Sequence, residues 1–316
     1  NTALIRKRIR NAKMKAEEKQ VGRYSATTTA LLYLDGVVYL PICEEMRKRL
    51  DAFEVDGIED GGMIEYLTRK KKEGRFPVYQ TTERPDRAAQ AILEGRVVLL
   101  TDNSPEALIF PATLNSLFQT ADDYYRNERI VTFLRLIRYV AAFLALALPG
   151  LYVAAATFHP QLLPGNLIRS MAEARSGVPF PTAAEVLLME LSFELLREAG
   201  LRMPGPAGNT SGIVGGLIVG QAAVSANLVS PITVTVAALT ALGSFSIPNE
   251  ELSEVFRLWK YGILLLGSCF GILGVMLGCF LLLMLMAEQE SYGIPWLYPY
   301  VGGNLNERAD EKDSMF

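Results

Sequence analysis

The sequence predicts an α/β cytoplasmic domain followed by an α-helical transmembrane domain of about four spans, with an additional amphipathic helix. Three observations carry this expectation. Charge is distributed unevenly: up to about Tyr125 the chain is charged and punctuated by turn residues, whereas beyond Leu136 the charges retreat to connecting segments. Three long apolar stretches lie between residues 136 and 287, and the middle one, 212–246, has no charged side chain in 35 positions. A charge at mid-bilayer costs roughly 2.5–3.5 kcal/mol on insertion scales, so such a run reads as membrane-embedded rather than as soluble core. The run is also rich in Gly, Ala, Ser and Thr, which let helices approach closely or line a wet passage, where a simple anchor would be dominated by Leu. Whole-chain averages hide the division, because 50% hydrophobic residues, 21% charged residues and a net charge of −3 also suit a globular protein.

The expected domains are a cytoplasmic α/β domain over residues 1–120, a basic juxtamembrane connector over 121–135, a helical membrane domain over 136–290 and a cytoplasmic tail over 291–316. The first residue is Asn1, and the segment after it has no cleavable apolar core. The chain therefore reads as a piece of a longer one, without a secretory signal.

In the polar half, Leu4, Ile5 and Ile9 recur at helical spacing among Arg6, Lys7, Arg8 and Arg10, which predicts a basic amphipathic helix running through Lys19 and stopping near Gly22. Its basic face reads either as solvated surface or as a docking face for anionic headgroups or a partner. Residues 27–39 are dense in β-branched and aromatic side chains and predict a strand, with Asp35-Gly36 as a hairpin signal. Helices are predicted over 44–53, 62–71 and 84–93. Strands are predicted over 97–101 and 107–110, on either side of the turn Asp102-Asn103-Ser104-Pro105. About 120 residues suffice for one independent core.

This half carries little catalytic chemistry. It has no glycine-rich phosphate loop, nucleophile elbow or metal-ligand spacing, and the single histidine, His159, lies at the end of the first apolar stretch. An enzyme is the class the sequence supports least, and no cofactor or metal is expected. Lys70-Lys71-Lys72 with Arg75 lacks interleaved aromatics and reads as a solvated edge rather than a nucleic-acid contact. Cys43, Cys269 and Cys279 show no pairing framework and read as buried apolar thiols.

Residues 136–158 are the first expected span. Arg126, Arg129, Arg135 and Arg138 crowd its N-terminal side, which by the positive-inside tendency holds the polar domain in the cytoplasm. Pro149-Gly150 is expected to kink it. Residues 180–200 predict an amphipathic helix in which Glu190, Glu194 and Arg197 share a face with Glu198 beside them, while Leu188, Met189, Leu195 and Leu196 lie roughly opposite. Two compatible readings follow. The charges pair locally on an interfacial helix, or Glu190, Glu194 and Glu198, repeated around an oligomer, form an acidic ring that concentrates cations at a pore mouth.

As one helix the charge-free run would be ~52 Å long at ~1.5 Å per residue, against ~30 Å of hydrocarbon, so it is expected to divide at Ser230-Pro231 into two spans. In the first, Gly212, Gly216, Gly220, Ala223 and Asn227 project within a narrow arc and predict a helix-packing face, while Gln221 and Ser225 point the opposite way. A buried amide needs a partner or water. Gln221 and Ser225 therefore mark either a second packed interface or a water-lined pore face, closed in the latter case by dewetting at Ile218 or Leu228. The last stretch, 258–287, is flanked by Arg257 and Lys260, expected to snorkel, and carries Gly267, Gly271, Gly274 and Gly278 as a seam at which it bends. Tyr292, Trp296, Tyr298 and Tyr300 are expected to form an interfacial aromatic belt.

Several ordered motifs then become informative together: Asn1-Thr2-Ala3-Leu4-Ile5-Arg6, Arg84-Pro85-Asp86, Pro149-Gly150-Leu151-Tyr152-Val153-Ala154, Val178-Pro179-Phe180-Pro181 and Phe193-Glu194-Leu195-Leu196-Arg197-Glu198-Ala199-Gly200. With Gly212-Ile213-Val214-Gly215-Gly216 and Gly220-Gln221-Ala222-Ala223-Val224, they resemble the A subunits of spore germinant receptors of endospore-forming bacteria, the GerA-type germination proteins. The resemblance covers nearly the whole chain. In a related stage V sporulation protein family the counterpart of Gly220-Gln221-Ala222 reads differently.

The resemblance implies a multi-pass subunit of the spore inner membrane, in contact with lipid, with its N-terminal domain on the cytoplasmic (core) side. It implies germinant receptor B and C subunits as partners, no nucleic acid, and a homo-oligomer, a pentamer, that forms a nutrient-gated ion channel. Family members extend further at both ends. Two other classes stand beside this one: a non-conducting sensor or scaffold whose polar faces bind the other subunits, and a secondary transporter, which would show repeat-related broken helices.

Overall fold

A computed structural model describes residues 1–52, 54–70, 74–202 and 207–301, the side chains of 207–214 and 217 excepted. The chain forms two compact units, one from residues 1–126 together with the described chain from Met284 onward, the other from Asn127–Leu283.

The first unit runs α1 (Thr2–Arg8), β1 (Met14–Val21), β2 (Thr27–Leu34), α2 (Leu40–Ala52), α3 (Gly61–Thr68), β3 (Gln80–Thr82), α4 (Pro85–Leu93), β4 (Val97–Thr101), β5 (Ala107–Phe110) and α5 (Leu114–Leu117), then a 3-10 turn at Ala121–Tyr125. The sheet order is β1-β2-β4-β5-β3, and every neighbouring pair is antiparallel. Alternation sorts its side chains onto two buried faces. Leu31, Tyr33, Val97, Leu99, Leu108 and Phe110 face one core with Ile42, Met46 and Ile64 of α2 and α3. Ala30, Leu32, Val98, Leu100 and Ile109 face another with Ile5 of α1 and Ala88 and Ile92 of α4. Burial on both faces explains why β4 and β5 read as continuous apolar runs.

The strands expected at 97–101 and 107–110 and the three expected helices of this half are present. Two expectations are corrected. The basic helix ends at Arg8, and residues 14–21 form an edge strand paired with β2 from Met14↔Leu34 to Val21↔Thr27. Eight residues of ladder outweigh the helical propensity of Lys and Glu, because β1 completes the sheet. Ile5 and Ile9 are buried in the second core, so of the expected apolar side only Leu4 is exposed. Asp35-Gly36 turns the chain from β2 into α2, not into a second strand; Gly36 sits at φ +84, where a side chain would be strained.

The second unit comprises α6 (Glu128–Thr157), a 3-10 turn (Pro160–Leu162), α7 (Gly165–Arg175), α8 (Thr182–Leu201), α9 (Ala207–Ser225), α10 (Pro231–Phe245), α11 (Glu250–Phe270) and most of α12 (Ile272–Glu288). Helix α6 is central, packed along α10 and α11, while α8 packs on α9 and α10. The charge-free run divides at Ser230-Pro231. Ser230 caps α10 by accepting from the Thr233 amide, and Pro231 occupies a first-turn position where its missing N–H has no intrahelical role.

The last apolar stretch is more than bent. Gly271, at φ +62, ends α11, and α12 doubles back so that Gly274 lies against the Leu266 carbonyl and Gly278 against Ile263. The expected snorkelling of Lys260 is overturned, since the side chain is buried. The aromatic belt is also corrected. Tyr292 and Trp296 are buried in the α/β unit, Tyr298 packs against its first core, and of the four only Tyr300 is exposed. Among the described residues α6 alone is long and apolar enough to cross a membrane, while α10 and α12 are shorter apolar helices of 15 and 17 residues.

Candidate functional site

Helix α8 is amphipathic in the inverse sense to a soluble helix. Leu188, Leu191 and Leu195 are 42%, 48% and 72% exposed, whereas Glu185 and Glu190 are 0% and 2% exposed. Charged residues are almost never fully buried in water-soluble cores unless paired. Phe133, Leu136, Val140 and Phe143 continue the exposed apolar surface along α6, and Leu273, Met276, Phe280 and Leu283 along α12.

The buried charges are paired across helices. Lys260 of α11 donates to Glu190 at 2.6 Å, and Arg257 one turn earlier pairs with Glu194. Glu198 stands apart, exposed and bonded at 2.7 Å to Arg202, the residue that caps its own helix. The expected pairing of charges is present, but its partners for Glu190 and Glu194 come from a different helix. Arg197 lies 5.2 Å over the Phe245 ring. A cavity of about 90 Å³ opens beside Glu190, Glu194, Arg197, Ser244, Arg257 and Lys260. In its lining Glu190 Oε1 and Arg257 Nε are buried without a hydrogen-bond partner. That volume holds about three waters, which would satisfy both the donor and the acceptor.

A second polar knot ties α8 to the α9–α10 break. Glu185 Oε2 accepts from the Ser230 amide at 2.9 Å and from the Thr233 hydroxyl at 3.1 Å, while Oε1 accepts from Arg175 Nε at 3.0 Å. The carboxylate thus anchors the first turn of α10 to α8. Sequence reading missed Glu185 because its partners are 10, 45 and 48 positions away.

On α9 the expected faces separate. A methyl group at Gly216 would lie 3.2 Å from the Phe193 ring of α8, and one at Gly220 would lie 3.2 Å from Val234 of α10. Gly215 is tighter, 2.8 Å from Leu196. The side-chain position of Gly212 lies outside the described residues. Ile218, Gln221 and Ser225 form an exposed stripe at i, i+3 and i+7, and Leu228, just past the helix end, is also exposed. Other glycines approach backbone rather than side chains: Gly274 against the Leu266 carbonyl, Gly243 against the Ala141 carbonyl of α6, and Gly267 at 3.0 Å from the Gly150 carbonyl. Cys43 is buried as expected, but Cys279 is only half-buried and Cys269 is exposed. Among the described residues no three His, Cys, Asp or Glu side chains gather to hold a metal ion.

Comparison with known proteins gives this architecture a context. The family model described as Bacillus/Clostridium GerA spore germination protein matches residues 1–316. The chain is 40% identical over 316 residues to the uncharacterized membrane protein YfkQ of Bacillus subtilis strain 168, covering all of this chain and 61% of that one. It is 38% identical to spore germination protein A1 of the same organism, over 95% of this chain and 62% of that one. Against its spore germination protein KA the identity is 37%, over 95% and 55%. The chain thus spans about three fifths of the length of these relatives. The crystal structure of the N-terminal domain of the A subunit of the Bacillus megaterium spore germinant receptor GerK3 matches at 31% identity. It covers 36% of this chain and 90% of that one, with a TM-score of 0.28. With the family model matched from end to end, the chain belongs to the GerA family of spore germination proteins.

Proposed function

We propose that the chain is the membrane subunit of a nutrient germinant receptor and that copies of it, assembled with receptor B and C subunits, form a nutrient-gated ion channel. The observation that carries this reading is the inverted amphipathicity of the helical unit, with charges paired inside and leucines and phenylalanines outside. Such a surface is stable against lipid acyl chains and costly against water.

Two further observations support it. The exposed stripe Ile218, Gln221 and Ser225 combines an apolar and two polar side chains on a helix whose other faces already pack on α8 and α10. That is the composition of a passage that wets and dewets between copies. The α/β unit is built from both ends of the described chain, and a folded unit occupies one side of a bilayer. An even number of crossings by the helical unit accords with this. The arginines preceding and opening α6 support the cytoplasm, the spore core, as that side.

The acidic pore mouth is withdrawn for Glu190 and Glu194, whose charges Lys260 and Arg257 neutralise. This same pairing favours a second reading, a non-conducting sensor or scaffold whose helices are locked together. Conductance through the purified protein in liposomes, with partner subunits added or withheld, separates the two. The channel reading expects nutrient-dependent current in the complete complex. Assembled receptor that carries no current in any combination would leave the scaffold.

A further inference from the structure

The first 126 residues do not close the α/β unit by themselves. The segment after α12, with β6 (Glu290–Ser291) paired to β7 (Ile294–Pro295), is seated in it. Trp296 is fully buried: its ring lies 4.9 Å from that of Phe76, its Nε1 donates to the Pro77 carbonyl at 2.8 Å, and its own carbonyl accepts from the Leu114 amide at 2.8 Å. The Ser291 hydroxyl donates to the Val78 carbonyl at 3.0 Å and accepts from the Ala112 amide at 3.2 Å. Tyr292 packs against Phe110 and Tyr79, bonds the Tyr79 hydroxyl, and lies under the Arg49 guanidinium at 4.1 Å. The hairpin therefore bridges α2, the approach to β3 and the exit from β5.

The turn at its tip is strained. Tyr292 and Gly293 are the two residues between the paired Ser291 and Ile294, at φ +53 and +80. A bulky side chain in the left-handed region persists only where its surroundings over-determine it, and such outliers cluster at switching elements. The hairpin also has no slack. Helix α12 ends at Glu288, which pairs with Arg75 at 3.0 Å, and the next residue, Gln289, is already buried.

We propose that the β6–β7 hairpin is a latch by which the α/β unit holds and releases the C-terminal end of α12, so that changes around Tyr292 and Trp296 are transmitted to that helix through the stiff Glu288-Gln289 junction. The latch rests on the receptor reading above and adds the route of coupling. A hairpin that merely fills a core would be indifferent to the stiffness of its tether.

The test inserts residues between Glu288 and Gln289 in the gene encoding this chain. One insert is flexible, Gly and Ser; the other is helical and of the same length, about seven residues or two turns. Cys269→Ala and Cys279→Ala leave Cys43, fully buried on the core face of α2, as the only thiol of this chain, and its protection from a water-soluble reagent reports that the α/β unit is folded. The flexible insert should slow nutrient-triggered germination by about tenfold or more with Cys43 protected, while the helical insert stays within about threefold of the parent. If the two inserts behave alike, or if the flexible insert exposes Cys43, the latch is refuted. A parent chain that supports no germination would overturn the receptor reading, a different result from inserts that fail to differ.

Discussion

Replacing Lys260 by Met leaves the Glu190 carboxylate inside the helical unit without its counter-ion. The two side chains are 5% and 2% exposed and 2.6 Å apart, and Glu190 Oε1 already lacks a partner within the protein. At an effective dielectric of ~20 their attraction is ~6 kcal/mol before desolvation. Desolvating two ions offsets much of that, so the pair adds little net stability although either half alone is costly. Lys260→Met and Glu190→Gln should each cost about 3–5 kcal/mol, roughly a hundredfold or more in the folding constant. The double variant should fall within about 2 kcal/mol of the parent, a coupling of several kcal/mol. Unfolding in mild detergent titrated with SDS and followed by circular dichroism measures all four corners, with the Arg257–Glu194 pair left intact. Single variants that each cost under about 1 kcal/mol, without coupling, would mean hydrated carboxylates. The reasoning would then be wrong, and Glu190 would return to the mouth of a passage.

The remaining predictions concern packing, access and pH. Gly243→Ala drives a methyl group onto the backbone carbonyl of Ala141 and should cost about 1–3 kcal/mol in the same titration. Gly216→Ala meets only the ring of Phe193, which can turn, and should cost under about 1 kcal/mol; the reverse order would refute the assignment of the backbone contact. In active receptor lacking native Cys269 and Cys279, Gln221→Cys and Ser225→Cys should react with a water-soluble thiol reagent while Gly216→Cys stays protected. Unreactive 221 and 225 would make α9 a packing element. In the α/β unit the Arg84 guanidinium holds the Asp86 carboxyl down at about 2. Because this lies below the unfolded value of ~3.9, its stabilisation is complete above about pH 4 and is lost as pH falls toward 2. Asp86→Asn should flatten that acid limb in melting temperatures measured across it, and an unchanged limb would assign the acid sensitivity to other groups.

Much of the architecture was legible because it rests on local signals. β4 and β5 announce themselves as apolar runs, and Ser230-Pro231 divides the charge-free run. That Gln221 and Ser225 share one face of α9 and Gly216 and Gly220 another follows from helical periodicity, while the helices those faces meet do not. The motifs were enough to place the chain in its family, since they are strings of neighbouring residues. Where local preference and long-range pairing disagreed, the sequence misled. Residues 14–21 have helix-forming composition but complete a sheet, and Lys260 resembles a snorkelling residue but faces a carboxylate.

The tertiary structure decided what depends on residues far apart in the chain. Glu190 and Lys260 are 70 positions apart, Ser291 and Val78 are 213 apart, and Trp296 and Pro77 are 219 apart. No periodicity encodes such pairs, because which face of a helix meets which neighbour is set only when the elements pack. Composition fixed that the second half is apolar and small-residue rich. Packing fixed that its charges turn inward, that Gly243, Gly267 and Gly274 meet backbone carbonyls, and that the aromatic C-terminal segment closes the α/β unit. Burying Trp296 and Tyr292 in a preformed slot removes more apolar surface from water than leaving them at a headgroup boundary, and that gain exists only once the slot does.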